Sequence, residues 1–275
     1  MKRRLIYIIV AVLAFAVSAC TAEEMVNALK EYSDMYISPY IMDGASHKVE
    51  SDEGESNGFC KGDSLALVIF SEGYSPNCYE EGYIQTATFD GNIWNADCAS
   101  VFQPNLVEWE EIENLKWKAQ GDNFEIYAYT PDVKQALAWP VYNGHVSLSQ
   151  DSIADFRSSD FLLGRVVTKK TNNYLSIPME HKLAMLSVEL FRSRELGVNI
   201  DSMSVIAYAD FWAHLALDKV YCINKESQSV KAYRQNDSTF SVILPAQDLA
   251  EGQIVFSMSD GSRKSLKVEV NMEFG

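Results

Sequence analysis

Leu266-Lys267-Val268-Glu269-Val270-Asn271-Met272-Glu273-Phe274 alternates apolar and polar residues without a break. Leu266, Val268, Val270, Met272 and Phe274 fall on one face of an extended chain, and Lys267, Glu269, Asn271 and Glu273 on the other. Successive strand side chains point to opposite faces, so this period of two predicts a half-buried antiparallel strand. Ala184, Leu186, Val188 and Leu190 repeat the pattern. Further strands are expected at 83–89, 124–129, 141–148, 205–209, 219–223, 240–244 and 254–258. The segment 64–70 differs, because it is apolar without interruption from Leu65, as in a strand buried on both faces. Helical periodicity is scarce: 132–138 after Pro131, 108–115, a turn at 152–156, and Met25, Val26, Leu29 and Tyr32 near the start. Short strands punctuated by turn signals predict an all-β chain of sandwiches.

The hydrophilic break at 192–199 divides the ordered part, so two tandem β-domains are expected, 61–195 and 196–275. Residues 20–60 read as a tether followed by an acidic, Ser- and Gly-rich linker. The first residues have a separate role. Lys2, Arg3 and Arg4 precede the apolar run 5–17, and then Ser18, Ala19 and Cys20 follow. That is the order of a secretory signal peptide, here residues 1–19. The apolar run is short of the roughly 20 residues that span a bilayer. Val17-Ser18-Ala19-Cys20 looks like a bacterial lipobox, with cleavage between Ala19 and Cys20 and acylation of Cys20. Each buried methylene contributes about 0.8 kcal/mol, and two acyl chains give stable anchoring where one is marginal.

The chain of 275 residues has 23 Lys plus Arg, 38 Asp plus Glu and a formal charge of −15. Loss of the leader removes three positive charges more. Such a surface repels nucleic acid and anionic headgroups, and no basic patch with interleaved aromatics offsets it, so no nucleic-acid partner is expected. Cys60, Cys78, Cys98 and Cys222 remain once Cys20 is lipidated. Export makes pairing plausible. Four cysteines allow three connectivities; one disulfide among Cys60, Cys78 and Cys98 is expected, with Cys222 buried and free. The closely spaced pairs of a structural zinc site are absent. His47, His145, His181 and His214 show no metal-binding or catalytic spacing, and His181, in an apolar strand, is expected to be a hydrogen-bonded core imidazole. No nucleophile elbow, phosphate loop or dinucleotide fingerprint occurs. Glu110 and Glu111 are adjacent carboxylates, which does not make the cleft-spanning pair of a glycosidase. The chain is therefore read as no enzyme, with no cofactor and no metal. Trp94, Trp109, Trp117, Trp139 and Trp212 raise a second reading, a carbohydrate-binding surface protein, against burial of those rings in a sandwich core.

Four segments carry a resemblance. Phe124 to Pro131 is an aromatic strand ending in Tyr-x-Pro; Asp160, Phe161, Leu162 and Leu163 form an Asp-hydrophobic-Leu element. Met179 to Val188 is a hydrophobic strand with a central His and a Leu-Ala-x-Leu sequence, and Leu244-Pro245-Ala246-Gln247 is a late Leu-x-Pro-Gln element. Together these resemble the fimbrillins, the subunits of type V pili of Bacteroides-type bacteria and their lipoprotein relatives. The resemblance implies two transthyretin-like β-sandwich domains, a lipidated precursor held in the cell outer membrane, and assembly with other pilus subunits by strand exchange. In that scheme a protease removes the N-terminal strand, and a strand from a neighbouring subunit fills the groove. Thr21-Ala22-Glu23-Glu24 resembles a surface-export signal of the same bacteria. Asp151-Ser152-Ile153 resembles their O-glycosylation tripeptide, as do the triplets at Ser64 and Ser202.

Two departures stand out. Family cleavage commonly follows Arg, yet the first arginine after the signal is Arg157, and only Lys30, Lys48 and Lys61 precede the first core strand. Lys30 and Lys48 are the processing candidates. The family also continues past its late strand with a turn and a Tyr-rich strand, whereas this sequence ends at Phe274-Gly275, which implies truncation or a missing edge strand. The expected function is an outer-membrane-anchored, surface-exposed structural or adhesive pilus component contacting a host surface. The alternative is a non-polymerising lipoprotein that binds a glycan.

Overall fold

The computed structural model of the chain describes residues 34–42, 58–71, 83–101, 109–117, 123–130, 140–170, 173–191 and 199–273. The first strands are β1 (Tyr36–Ile41), β2 (Ser64–Ser71), β3 (Tyr83–Phe89), β4 (Trp94–Val101), β5 (Glu110–Glu111), β6 (Asn123–Thr130) and β7 (Val141–His145). A short helix, α1 (Ile153–Ser158), precedes β8 (Leu162–Lys169), β9 (Tyr174–His181) and β10 (Ala184–Glu189). Then come β11 (Ile200–Tyr208), β12 (Asp210–His214), a 3₁₀ turn at Leu215–Leu217, β13 (Lys219–Cys222), β14 (Ser227–Lys231) and β15 (Tyr233–Arg234). The chain closes with β16 (Thr239–Leu244), β17 (Asp248–Leu249), β18 (Ile254–Met258), β19 (Arg263–Ser265) and β20 (Val270–Asn271).

An eight-stranded sheet runs β1-β9-β8-β6-β2-β3-β4-β5. Smaller sheets are β10-β16-β15, β14-β11-β18-β19, β13-β12-β7 and β17-β20. The all-β class expected from the alternating runs is what the chain adopts. β2 shows why 64–70 is apolar throughout. Leu65, Leu67 and Ile69 face one core with Phe59, Trp117, Phe124 and Ile126. Ala66, Val68 and Phe70 face a second core that continues into the C-terminal half through Tyr142, Phe161, Phe211 and Leu244. Each of the larger β2 side chains contributes about 1.5–3 kcal/mol by leaving water. An aromatic seam carries the second core across: Tyr129 lies 5.7 Å from Tyr142, Tyr142 stacks on Phe161 at 4.9 Å, and Phe161 meets Phe211 at 5.4 Å.

Three expectations are corrected. Residues 34–42, read as tether, form β1 and its flanks inside the large sheet. The segment 109–115 carries no helix: Glu110 and Glu111 pair with Ala99 and Cys98, so an edge ladder overrides the local periodicity. The closing run is not one strand. β19 pairs with β18, Leu266 donates to the Ile254 carbonyl at 2.9 Å, and the chain then leaves that sheet. β20 joins β17 instead, and Met272 donates to the Gln247 carbonyl at 3.1 Å. Leu266, Val270 and Met272 still turn inward, whereas Val268, between the two sheets, is 45% exposed. One alternating run thus serves two sheets. The helix expected at 132–138 lies outside the described residues, as does 192–198 of the hydrophilic break. β10, before that break, pairs with β16 beyond it, and β7 pairs with β12.

Candidate functional site

β1 is one margin of the large sheet, with β5 the other, and its entry is bonded through the Met35 amide to the Leu115 carbonyl at 2.8 Å. Its Tyr-Ile-Ser-Pro-Tyr-Ile sequence is rich in residues that favour the pleated surface. Inward-facing positions alternate with outward ones: Met35 and Ile37 are 2% and 9% exposed and Pro39 is buried, while Tyr36 and Tyr40 face solvent. β1 runs parallel to β9, with Tyr36 opposite Tyr174 and Ile41 opposite Met179. The other strand pairs described are antiparallel. The Tyr36 and Met42 amides donate to the Asn173 and Met179 carbonyls at 2.8 Å. Pro39 lacks an N–H, which a strand at the margin of a sheet tolerates most readily. Asp34 holds the entry to β1 through the Lys116 ammonium at 2.6 Å, and Tyr36 stacks on Tyr174 at 5.2 Å. At the exit, Ile41 rests against Gly58, where φ is +89° and an added Cβ would sit 2.8 Å from Ile41 Cδ1. Glycine is required there both by conformation and by space.

The four segments that carried the resemblance come together behind this edge. His181 Nδ1 lies 2.6 Å from Asp160 Oδ2, with side chains 9% and 12% exposed. Leu162 pairs with His181, Tyr129 with Leu163, and Ala184 with Leu244. The Gln247 amide closes the group: it accepts from the Tyr208 N–H and donates to the Tyr208 carbonyl, both at 2.9 Å. Lys182 bridges Glu180 at 2.6 Å and Asp218 at 2.9 Å. Burial pulls its ammonium down, but the hydrogen bonds to Glu180 and Asp218 outweigh it and hold the group above its ordinary range. These residues frame the joint between the cores, where Glu180, Lys182 and Asp218 also line a cavity.

The other candidates sit as follows. Cys60, Cys98 and Cys222 are free thiols, so the expected disulfide does not join Cys60 to Cys98. Cys98 is buried against the Thr86 hydroxyl at 3.5 Å, whereas the Cys60 sulfur meets the Arg157 guanidinium. Burial, then the Asp210 charge, push the Cys222 thiol up. Ser152 is exposed and caps α1, with its hydroxyl accepting from the Asp155 amide at 3.1 Å. Trp117 is fully buried beside Phe124, and Trp94 packs on Phe59 and Phe89. Trp109 lies against the second core, while Trp212 stacks on Tyr221 at the surface. Ala19, Cys20, Lys30, Lys48, Cys78 and Trp139 lie outside the described residues. Among the described residues, no three His, Cys, Asp or Glu side chains are grouped to hold a metal ion, and no helix is long and apolar enough to cross a membrane. Sequence reasoning missed β1 itself. Its signal was present in the alternation of Met35, Ile37, Pro39 and Ile41, which the proline obscured.

Residues 83–274 match a family model described as fimbrillin-like. The fold is similar to that of a candidate cell adhesion protein from Bacteroides ovatus, at 13% identity and a TM-score of 0.62 over 89% of each chain. It is also similar to a candidate cell adhesion protein from Bacteroides uniformis, at 11% identity and a TM-score of 0.52, covering 76% of this chain and 78% of that one. At these identities the likeness is one of fold. No curated protein sequence matches the chain.

Proposed function

The chain belongs to the fimbrillin-like family, and on that premise we propose that it is a non-enzymatic surface protein, a pilus subunit or adhesin, anchored in the outer membrane by lipid on Cys20 and assembled by exchange of β1. The observation that carries the exchange is β1 itself: among the described residues the one strand paired in parallel, at a margin of the sheet, with its alternate side chains seated in the core. Taking it away would leave β9 with unpaired N–H and C=O groups, a template for another chain. Main-chain bonds would then supply affinity and the emptied side-chain pockets specificity.

The position of β1 separates the lysines. Lys30 precedes it, so cleavage there leaves β1 attached to the subunit. Lys61 follows Phe59, which is 2% exposed and belongs to the core, so a cut there removes a core residue as well. Cleavage after Lys48 removes β1 without a residue of the core beyond it, and takes the lipidated Cys20 away with it, so the anchor belongs to the precursor and is given up on assembly. The pairings of β10 with β16 and of β7 with β12 further support a C-terminal unit that takes in β7 and β10 as well as the strands beyond residue 199. Surface material from cells carrying Lys48→Ala is expected to run as monomer in boiling-resistant ladder analysis, with Lys30→Ala indistinguishable from the parent. A full ladder from Lys48→Ala would remove the processing site. For the anchor, Cys20→Ala should accumulate unprocessed precursor and lose labelling by an alkyne fatty acid. Persistent labelling would place the lipid elsewhere.

A further inference from the structure

The sheet β13-β12-β7 has one face in the core and one in solvent. Tyr142, Phe211, Ala213 and Val220 fill the inner face. On the outer face Trp212 stacks on Tyr221 of the neighbouring strand, with ring centroids 4.3 Å apart and planes at 16°. Tyr221 is 39% exposed, and Trp212 is partly exposed. Asn143 of β7 stands opposite Trp212 on its other side. Directly opposed residues in an antiparallel pair lie about 5 Å apart at Cβ, so Asn143, Trp212 and Tyr221 make one row across the sheet. A second row places His145 Nδ1 2.6 Å from Asp210 Oδ1, with side chains 44% and 38% exposed. On the far side of the aromatic row, His214 faces Lys219.

The pair is unlike the other tryptophans described here, which pack into or against the cores. Two rings held together at a surface, with an amide and a carboxylate–imidazole pair beside them, provide apolar contact together with a few placed hydrogen-bonding groups. That is the composition of a small-molecule site, and it matches a sugar, whose axial C–H faces lie on aromatic rings while its hydroxyls seek donors and acceptors. We propose that the outer face of β13-β12-β7 binds a neutral saccharide through Trp212, Tyr221 and Asn143, with Asp210 and His145 as hydrogen-bonding neighbours. The charge of the chain selects neutrality: at −15 its field repels an acidic glycan. A protein partner would call for a broader apolar centre than two rings. The site uses neither β1 nor Cys20, so it stands apart from the assembly reading.

Native affinity electrophoresis tests it, with the full chain solubilised in detergent and run through gels containing xylan, mannan, starch or mixed-linkage glucan, and polygalacturonate as the acidic control. Retardation is expected in at least one neutral gel. Trp212→Ala and Tyr221→Ala should weaken it at least about tenfold, while Trp94→Phe leaves it intact. Should Trp212→Ala fail to fold by circular dichroism, Tyr221→Ala and Asn143→Ala, both at exposed positions, decide instead. Migration unretarded in every neutral gel, retention unchanged in the folded variants, or retention by polygalacturonate alone would overturn the site. A normal boiling-resistant ladder from Tyr221→Ala cells separates loss of sugar binding from loss of assembly.

Discussion

A subunit cut after Lys48 and stripped of β1 is expected to lose much of its stability and to regain it by taking an extended strand from outside. Met35, Ile37 and Pro39 leave the core with β1, and Ile41 leaves its seat against Gly58. At about 1.5–3 kcal/mol for each fully buried apolar side chain, the loss is on the order of 5–8 kcal/mol. A typical domain has only about 5–15 kcal/mol in total. The emptied edge of β9 therefore cannot stay in water without consequence, because it pairs an apolar trough with a row of unbonded backbone groups. A recognition site for a specific protease inserted at Lys48 permits the cut, and mild denaturation followed by gel filtration removes the strand. A synthetic peptide of residues 34–42 should restore the melting temperature and block self-association. The same peptide with Ile37→Asp should bind about 100-fold more weakly, since a carboxylate would enter the core unpaired. A stripped subunit that melts with the intact chain, remains monomeric and ignores the peptide would sink the exchange mechanism.

The sequence spoke most clearly where a single physical cause acts. Double burial makes β2 apolar at every position from Leu65 to Phe70, whereas β3 and β16, also buried on both faces, take in Gln85 and Ser241 by hydrogen-bonding them to Lys116 and Ser187. Alternating burial makes β18 legible over its whole length. The turn expected at 152–156 opens α1, where the Ser152 hydroxyl caps the helix by accepting from the Asp155 amide. What stayed hidden was partnership. Alternation tells which face a residue uses and says nothing of which strand lies beside it. Hence β7 and β10 gave no sign that they pair beyond the nearest break, and the run from Leu266 to Met272 gave no sign that it changes sheets. Burial of individual aromatics was equally silent. Trp117, fully enclosed, follows a lysine, whereas surface Trp212 lies between Phe211 and Ala213. The joint was half legible: Asp160 and His181 were each singled out, but 21 positions of chain separate them, and only the β8–β9 ladder brings them within 2.6 Å.

That ladder also holds a position where one added methyl group would meet the backbone of the neighbouring strand. Gly164 pairs with Met179, and a Cβ there would sit 2.3 Å from the Pro178 carbonyl oxygen, 2.6 Å from Met179 Sδ and 3.2 Å from Ile177 Cγ2. The sulfur ends a flexible side chain and can yield. The Pro178 carbonyl is backbone in the middle of β9, so Gly164→Ala must push the two strands apart. Separation strains the Asp160–His181 pair and the bond from the Lys182 amide to the Phe161 carbonyl, 2.9 Å long. Overpacking of a tight interior costs about 1–3 kcal/mol, and a buried hydrogen-bonding group pulled from its partner about 1–3 more. The variant should therefore lose about 3 kcal/mol or more, a fall in melting temperature of roughly 6–12 °C for a chain of this size. Gly261→Ala supplies the comparison. With φ at +81° and nothing within 4 Å of its Cβ, it meets conformational strain alone, on the order of 1–2 kcal/mol. Urea unfolding of both variants ranks the two causes. Gly164→Ala should be the less stable by a clear margin, and a Gly164→Ala midpoint at or above that of Gly261→Ala would mean that β8 and β9 are not held at the distance that joins the two cores.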